Sequence, residues 1–220
     1  MTLDERSLSA SLVDVRHAYR LLWDFQRRCL DTLKLVAQQF PEREFYQWQN
    51  NVVEAVPPAR SNPLDSWAWS FLPFYNMSVL YARSGEGRAH PKIGDWLLEV
   101  RIVADTEWEM LDERIEPDPS AFVSVDKADS TLSIIVFKCV SDVDPKSNWF
   151  HHVWRNASWP EDDADPDDQG LTYMEEDPLA ACQVTAPLAT MTTKDAVTAF
   201  CERAKRAISD KLSINFEATP

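Results

Sequence analysis

The sequence predicts an α+β fold with a long N-terminal helix, a central, mostly antiparallel sheet and a C-terminal helix packed on the sheet. Apolar residues recur at three- and four-residue spacing at both ends of the chain, and they alternate at period two in the middle. The strand–helix–strand alternation of a parallel sheet is missing. With 220 residues, 45% of them hydrophobic, the chain can bury one core. We therefore expect a single domain over residues 1–220, with an acidic loop at about 160–177.

The first predicted element is a helix of about 30 residues that ends before Pro41. Its stripe consists of Leu12, Val15, Tyr19, Leu22, Gln26, Cys29, Leu33, Val36 and Phe40. This spacing predicts a core helix that lies across the sheet. Because the spacing lasts for four heptads, it also leaves open a coiled-coil or dimer seam.

Two segments in the middle of the chain have the alternation of strands. Trp67–Ala82 carries aromatic side chains at odd positions and predicts a strand with an aromatic face, which Pro73 must interrupt, bulge or place at an edge. Residues 95–105 have apolar side chains at even positions, which predicts a half-buried strand. Glu99 and Arg101 then lie on its polar face, where a cross-strand charge pair is the simplest expectation.

The remaining elements follow from the same patterns. Leu132–Val140 is almost continuously apolar and predicts a central strand, in a hairpin with Ala121–Val125. Leu179–Leu188 predicts a further strand. The last helix is predicted to begin at a capping box over Thr192–Asp195 and to bury a stripe that ends at Leu212.

Composition excludes several function classes. The chain carries 36 acidic and 22 basic residues, for a net charge of −14, and has only four glycines. We therefore expect neither nucleic-acid binding nor a glycine-rich phosphate loop. No apolar run is long enough for a membrane span. The four cysteines lack metal-ligand spacing and predict reduced core thiols in a cytoplasmic protein. No catalytic motif, metal site or cofactor site is recognised.

Nine acidic side chains and no basic one lie between Glu161 and Asp177. Because like charges repel and two prolines bar a helix at 160–166, we expect residues 161–169 to be mobile when free, with order resuming near Leu171. The start of this run resembles an EF-hand loop, but Asp168 and Met174 occupy the positions of the required Gly and Glu. An EF-hand is therefore rejected, and a loose divalent site stays open. The run also suits a docking surface for a basic protein.

Three tryptophans precede this acidic run within residues 148–159. Such a cluster either pins a loop to the core or anchors a partner, since Trp and Arg dominate interface hot spots. The candidate partner-binding residues are Trp149, Trp154, Trp159, Glu161, Asp162, Asp163, Asp165, Asp167 and Asp168.

Three functions are consistent with these features. The first is a cytoplasmic, non-enzymatic protein-binding domain that engages a more basic protein, as bacterial immunity and inhibitor proteins do. The second is a small-ligand sensor or enzyme with its site on the aromatic sheet face of Trp67, Trp69, Phe71 and Tyr75. The third is a structural subunit of a larger bacterial defence or regulatory assembly, with the N-terminal helix as its contact. The sequence leaves the oligomeric state open.

Overall fold

The predicted α+β architecture is confirmed. A computed structural model describes residues 5–52, 62, 64, 66–72, 74–108, 115–160, 165–168 and 170–216. Within these ranges lie two long helices and six strands, which are α1 (Glu5–Ala37), β1 (Arg43–Asn50), β2 (Asn76–Arg83), β3 (Trp96–Val103), β4 (Thr131–Cys139), β5 (Leu171–Glu176), β6 (Leu179–Pro187) and α2 (Lys194–Leu212).

The six strands form one antiparallel sheet in the order β1-β2-β3-β4-β6-β5. Strands that are consecutive in the chain pair with each other, except that β4 pairs with β6 rather than with β5. The central strands β3 and β4 are almost wholly buried. Both faces of the sheet are therefore covered, which the near-continuous apolar sequence of β4 indicates.

The two helices cover one face of the sheet. Strand side chains such as Val100 and Ile134 alternate onto this face and meet the apolar stripes of α1 and α2. The N-cap of α2 is Thr193, whose hydroxyl accepts a hydrogen bond from the Ala196 amide over 3.1 Å. The predicted capping box at Thr192 is thus out by one residue.

The opposite face is covered by a segment that follows β4 rather than by solvent. Trp149–Val153 forms a single π-helical turn whose apolar side chains pack with Leu97 and Phe137. The prediction of a half-buried β3 is therefore wrong. Glu99 is completely buried, and its cross-strand neighbours are Leu80 and Ile135, so the expected charge pair does not form.

Two further strand predictions are corrected. Ala68–Phe71 forms a 3-10 turn, and strand structure begins only at Asn76, after a left-handed Phe74 with φ of 65°. Ala121–Val125 is not a strand, and β4 pairs with β3 and β6 instead. The strand predicted over Leu179–Leu188 is confirmed as β6, one residue shorter.

Candidate functional site

The apolar stripe of α1 is used along only half of its length. Cys29, Leu33 and Val36 are buried in the core between the helices and the sheet. The preceding turns of the same stripe are exposed. We define the exposed seam as Leu8, Leu12, Val15 and Tyr19, whose exposed fractions are 48%, 47%, 46% and 71%. The prediction that the whole stripe lies across the sheet therefore holds only from Cys29 onward.

The exposed half of α1 also differs from the rest of the chain in charge. Residues 8–28 hold four arginines and two aspartates, a net charge of +2, whereas the whole chain carries −14. All of residues 8–20 are exposed. A basic, apolar helical arm therefore projects from a strongly acidic body.

A cleft of about 530 Å³ lies where this arm meets the body, between α1 and the connection from β6 to α2. It is mostly apolar, with Asp24, Arg28 and Thr32 among its polar side chains. The hydroxyl of Ser130, also in its wall, donates to the Ala104 carbonyl over 2.6 Å. Across the part of the chain that the structure describes, no group of three or more His, Cys, Asp or Glu residues could hold a metal ion.

The predicted tryptophan anchors lie inside the molecule. Trp149 and Trp154 are 1% and 5% exposed, and Trp159 is half-buried beside them. Asn148 caps the turn by accepting hydrogen bonds from the amides of Phe150 and His151. Of the two interpretations offered by the sequence, this placement corresponds to pinning the segment to the core.

These tryptophans surround the buried carboxylate of Glu99, which sequence analysis placed on a polar face. Nε1 of Trp154 donates to its Oε2 over 2.7 Å, and Nε1 of Trp159 lies 3.2 Å from the same oxygen. The Ser78 hydroxyl makes a short hydrogen bond to Oε1. Burial raises the pKa of Glu99, against the opposing effect of these hydrogen bonds and of Arg101. The network joins the covering segment to β2 and β3.

Further polar groups extend this network toward the edge of the sheet. The Asn51 amide nitrogen lies 2.9 Å from both the Ser78 hydroxyl and the Asn76 side-chain oxygen. The Arg101 guanidinium stacks 4.2 Å from the centre of the Trp159 ring. Because the Glu99 carboxylate is sealed from solvent, these hydrogen bonds tie the covering segment to the interior of the sheet. The signal in the sequence was an acidic residue within an otherwise apolar run from Trp96 to Val100.

The acidic candidates that the structure describes are on the surface. Asp165, Asp167 and Asp168 are exposed, whereas Glu161, Asp162 and Asp163 lie outside the described residues. Asp167 closes a turn onto β5, because its Oδ1 accepts from the Leu171 amide over 2.9 Å and its backbone amide donates to the Leu171 carbonyl over 3.0 Å. A turn held by Asp167 thus precedes Leu171, the residue at which order was predicted to resume.

Of the four aromatic residues predicted to line a sheet face, Trp69 and Tyr75 instead lie in an aromatic cluster next to the start of β2. Trp69 is 9% exposed and lies 4.9 Å from Tyr75 and 5.9 Å from Phe122, measured between ring centroids. Its Nε1 donates to the Pro117 carbonyl over 2.8 Å. Trp67 and Phe71 do not lie on a strand. The four residues therefore do not share a sheet face, and a cleft of about 410 Å³ lies beside Trp69 and Leu72 at the 3-10 turn instead.

All four cysteines are free and buried, in agreement with the predicted core thiols. Burial raises the pKa of Cys29 to about 11 and those of Cys139, Cys182 and Cys201 to about 12. Thiolate nucleophiles are therefore suppressed at neutral pH.

Fold and surface together define an α+β sheet protein with a projecting amphipathic helix. Among the described helices, none combines the length and apolar character needed to cross a membrane. The family model of PM0109 matches residues 5–213, so the chain belongs to the PM0109 family. It is 25% identical over 159 residues to the uncharacterized protein PM0109 of Pasteurella multocida (strain Pm70), covering 72% of this chain and 74% of that protein. No solved structure matches the chain.

Proposed function

We propose that this chain is a cytoplasmic, non-enzymatic protein-binding subunit of a larger assembly, and that the exposed half of α1 is its contact element. The observation that carries this proposal is the exposed seam of Leu8, Leu12, Val15 and Tyr19. Four buried free thiols support the cytoplasmic assignment, since the cytoplasm keeps cysteines reduced.

The energetics favour a partner on this surface. Complete burial of one large apolar side chain contributes roughly 1.5–3 kcal/mol. Contiguous apolar surfaces of this kind on monomeric proteins mark interaction sites. The 33-residue helix α1 is also much longer than its packed half requires. The fold of the chain does not bury the apolar side chains of these projecting turns. A contact with a partner through the exposed seam buries them.

Acidic surface supports a second contact, with a basic protein. Asp165, Asp167 and Asp168 are exposed, and so are Glu175 and Glu176 at the end of β5. Clustered charges of one sign steer an oppositely charged protein and raise its association rate. This mode of binding suits an immunity- or inhibitor-type protein. The buried Trp149 and Trp154 do not contribute to it in this conformation.

The test is affinity purification of the tagged, full-length chain from its native cells. A seam variant, Leu12→Lys with Tyr19→Lys, is compared with a matched control, Val13→Lys with Leu21→Lys. Val13 and Leu21 are also exposed apolar residues of the arm, at 41% and 71%, but lie off the seam. We expect wild type and control to recover the same associated chain and the seam variant to lose it. Equal recovery by both variants would overturn the proposal.

The acidic contact is tested with a basic protein that co-purifies with the wild-type chain, as distinct from the chain bound through the seam. Changing Asp165, Asp167 and Asp168 to Asn should slow its association at low salt and weaken the salt dependence of the rate. Replacement of the exposed Ser84, Ser124 and Thr192 by Asn controls for surface mutation without a charge change. An association rate that is independent of salt and of the three aspartates contradicts the acidic contact.

A further inference from the structure

We infer that the exposed seam binds the exposed seam of a second copy of this chain, with the two α1 arms packed antiparallel in a symmetric dimer. This inference rests on the proposed role of α1 as a contact element, and it names the partner. The observations that carry it are the spacing of the seam, its continuity with the buried stripe and the distribution of charge.

The spacing of the seam is that of a coiled coil. Leu8, Leu12, Val15 and Tyr19 alternate steps of four and three residues, and Leu22 and Gln26 continue them to Cys29. Alternating steps of this kind average 3.5 residues and form the stripe that meshes with a second helix. In a symmetric pair the same patch serves both copies, so each seam is matched by an identical one.

Orientation follows from the continuity of the seam with the buried stripe. The face that is exposed at Leu12 and Val15 contacts the body from Cys29 onward. A parallel second helix that follows this face would run into the sheet. In an antiparallel pair, the C-terminal end of the second helix and the body attached to it lie beyond the N-terminal end of the first helix. The two bodies therefore do not overlap.

Area and charge support the same arrangement. Each side chain of the exposed seam offers on the order of 100 Å² of exposed apolar surface, and so does the adjacent Trp23, which is 64% exposed. With the side chains that flank them, two such surfaces approach the ~1,200 Å² at the lower end of specific interfaces. Antiparallel packing brings the arm, of net charge +2, toward the acidic body of the other copy. It also holds the two acidic bodies apart.

The test is light scattering of the purified full-length chain between about 1 and 100 μM, a range that spans ordinary dimer affinities. We expect twice the chain mass of 25.2 kDa for wild type and for Val13→Lys with Leu21→Lys. For Leu12→Lys with Tyr19→Lys we expect the single chain mass, with a dimer Kd raised at least ~100-fold because the variant buries unpaired charge. Unchanged helical circular dichroism shows that the arm itself persists.

A wild-type monomer at 100 μM overturns the inference. If a different protein still co-purifies through the seam, the proposed contact role stands without the dimer, so the two failures are distinguishable. A dimer that persists in the seam variant and dissociates in the control also overturns it, because the contact then lies off the seam.

Orientation is tested by spin labels on Ser9→Cys and, separately, Arg16→Cys. The four native thiols are buried and do not compete for the label. In a parallel pair, each label lies opposite the same position of the other chain. The label–label distances at positions 9 and 16 would then be equal. In an antiparallel pair centred on the seam, the symmetry axis passes between Leu12 and Val15, nearer to position 16 than to position 9, so we expect the label–label distance at position 9 to be longer by several ångströms. Equal distances contradict the antiparallel arrangement.

Discussion

Trp154 donates its indole N–H to the buried carboxylate of Glu99 over 2.7 Å, and the two residues are 55 positions apart in the chain. The carboxylate has no solvent exposure, so its protein partners replace water. This hydrogen bond links the segment that covers one face of the sheet to the central strand β3.

Replacing Trp154 with Phe should destabilise the protein by about 1–3 kcal/mol. A smaller aromatic ring stays in the core, and the Glu99 carboxylate loses a buried donor. Urea unfolding followed by circular dichroism measures the difference. The matched control is Trp48→Phe at a 40% exposed position, where we expect less than ~0.5 kcal/mol. Equal effects at the two positions would show that the hydrogen bond contributes nothing.

Stability should fall with rising pH through the titration of Glu99. Burial raises its folded pKa above the ordinary value of 4.5, so the folded state binds the proton more tightly than the unfolded state does. The resulting stabilisation is complete below about pH 4.5 and is lost as pH rises through the folded pKa. Glu99→Gln removes this titration. The free energy of unfolding of Glu99→Gln relative to wild type should therefore rise with pH.

The slope of this difference is at most about 1.4 kcal/mol per pH unit for a single group. Urea unfolding of both proteins at several pH values between 4 and 8 measures it. Ionisable groups common to both proteins cancel in the difference. A difference that stays constant over this range would contradict the raised pKa.

The start of α2 gives a matched pair of threonines. Thr193→Ala removes the hydroxyl that accepts from the Ala196 amide and should cost about 1 kcal/mol of stability. The exposed Thr192, one residue earlier, is the cap that the sequence favoured, and Thr192→Ala should have little effect. Thermal unfolding of both variants shows which of the two threonines caps α2. A larger loss at Thr192 would reject the cap described here.

Asp167 should determine where protection from hydrogen exchange begins in the acidic segment. Asp167→Ala removes the acceptor of the Leu171 amide, so exchange at Gly170 and Leu171 should accelerate. Asp167→Asn keeps an acceptor oxygen and should preserve much of the protection. Asp168→Ala is the control at a neighbouring exposed aspartate. Slow exchange at Leu171 in the alanine variant would show that this side chain does not hold the turn.

Local patterns in the sequence were sufficient for the fold class. Period-two alternation identified β3, the apolar run identified β4, and helical spacing identified α1 and α2. These signals are local, since they depend on which side chains neighbouring positions place on one face. The burial of the four cysteines followed from the same positions.

Contacts between distant segments were not predictable in this way. The alternation in β3 correctly predicted the face of the sheet to which the Glu99 side chain points. Only the tertiary structure shows that the segment around Trp154 covers that face. Likewise, the heptad spacing of α1 is the same at Val15 and at Val36, yet one is exposed and the other buried. The sequence by itself determined the elements and their apolar faces. Only the tertiary structure decided which faces are covered, because coverage depends on where the sheet ends and on segments far away in the chain.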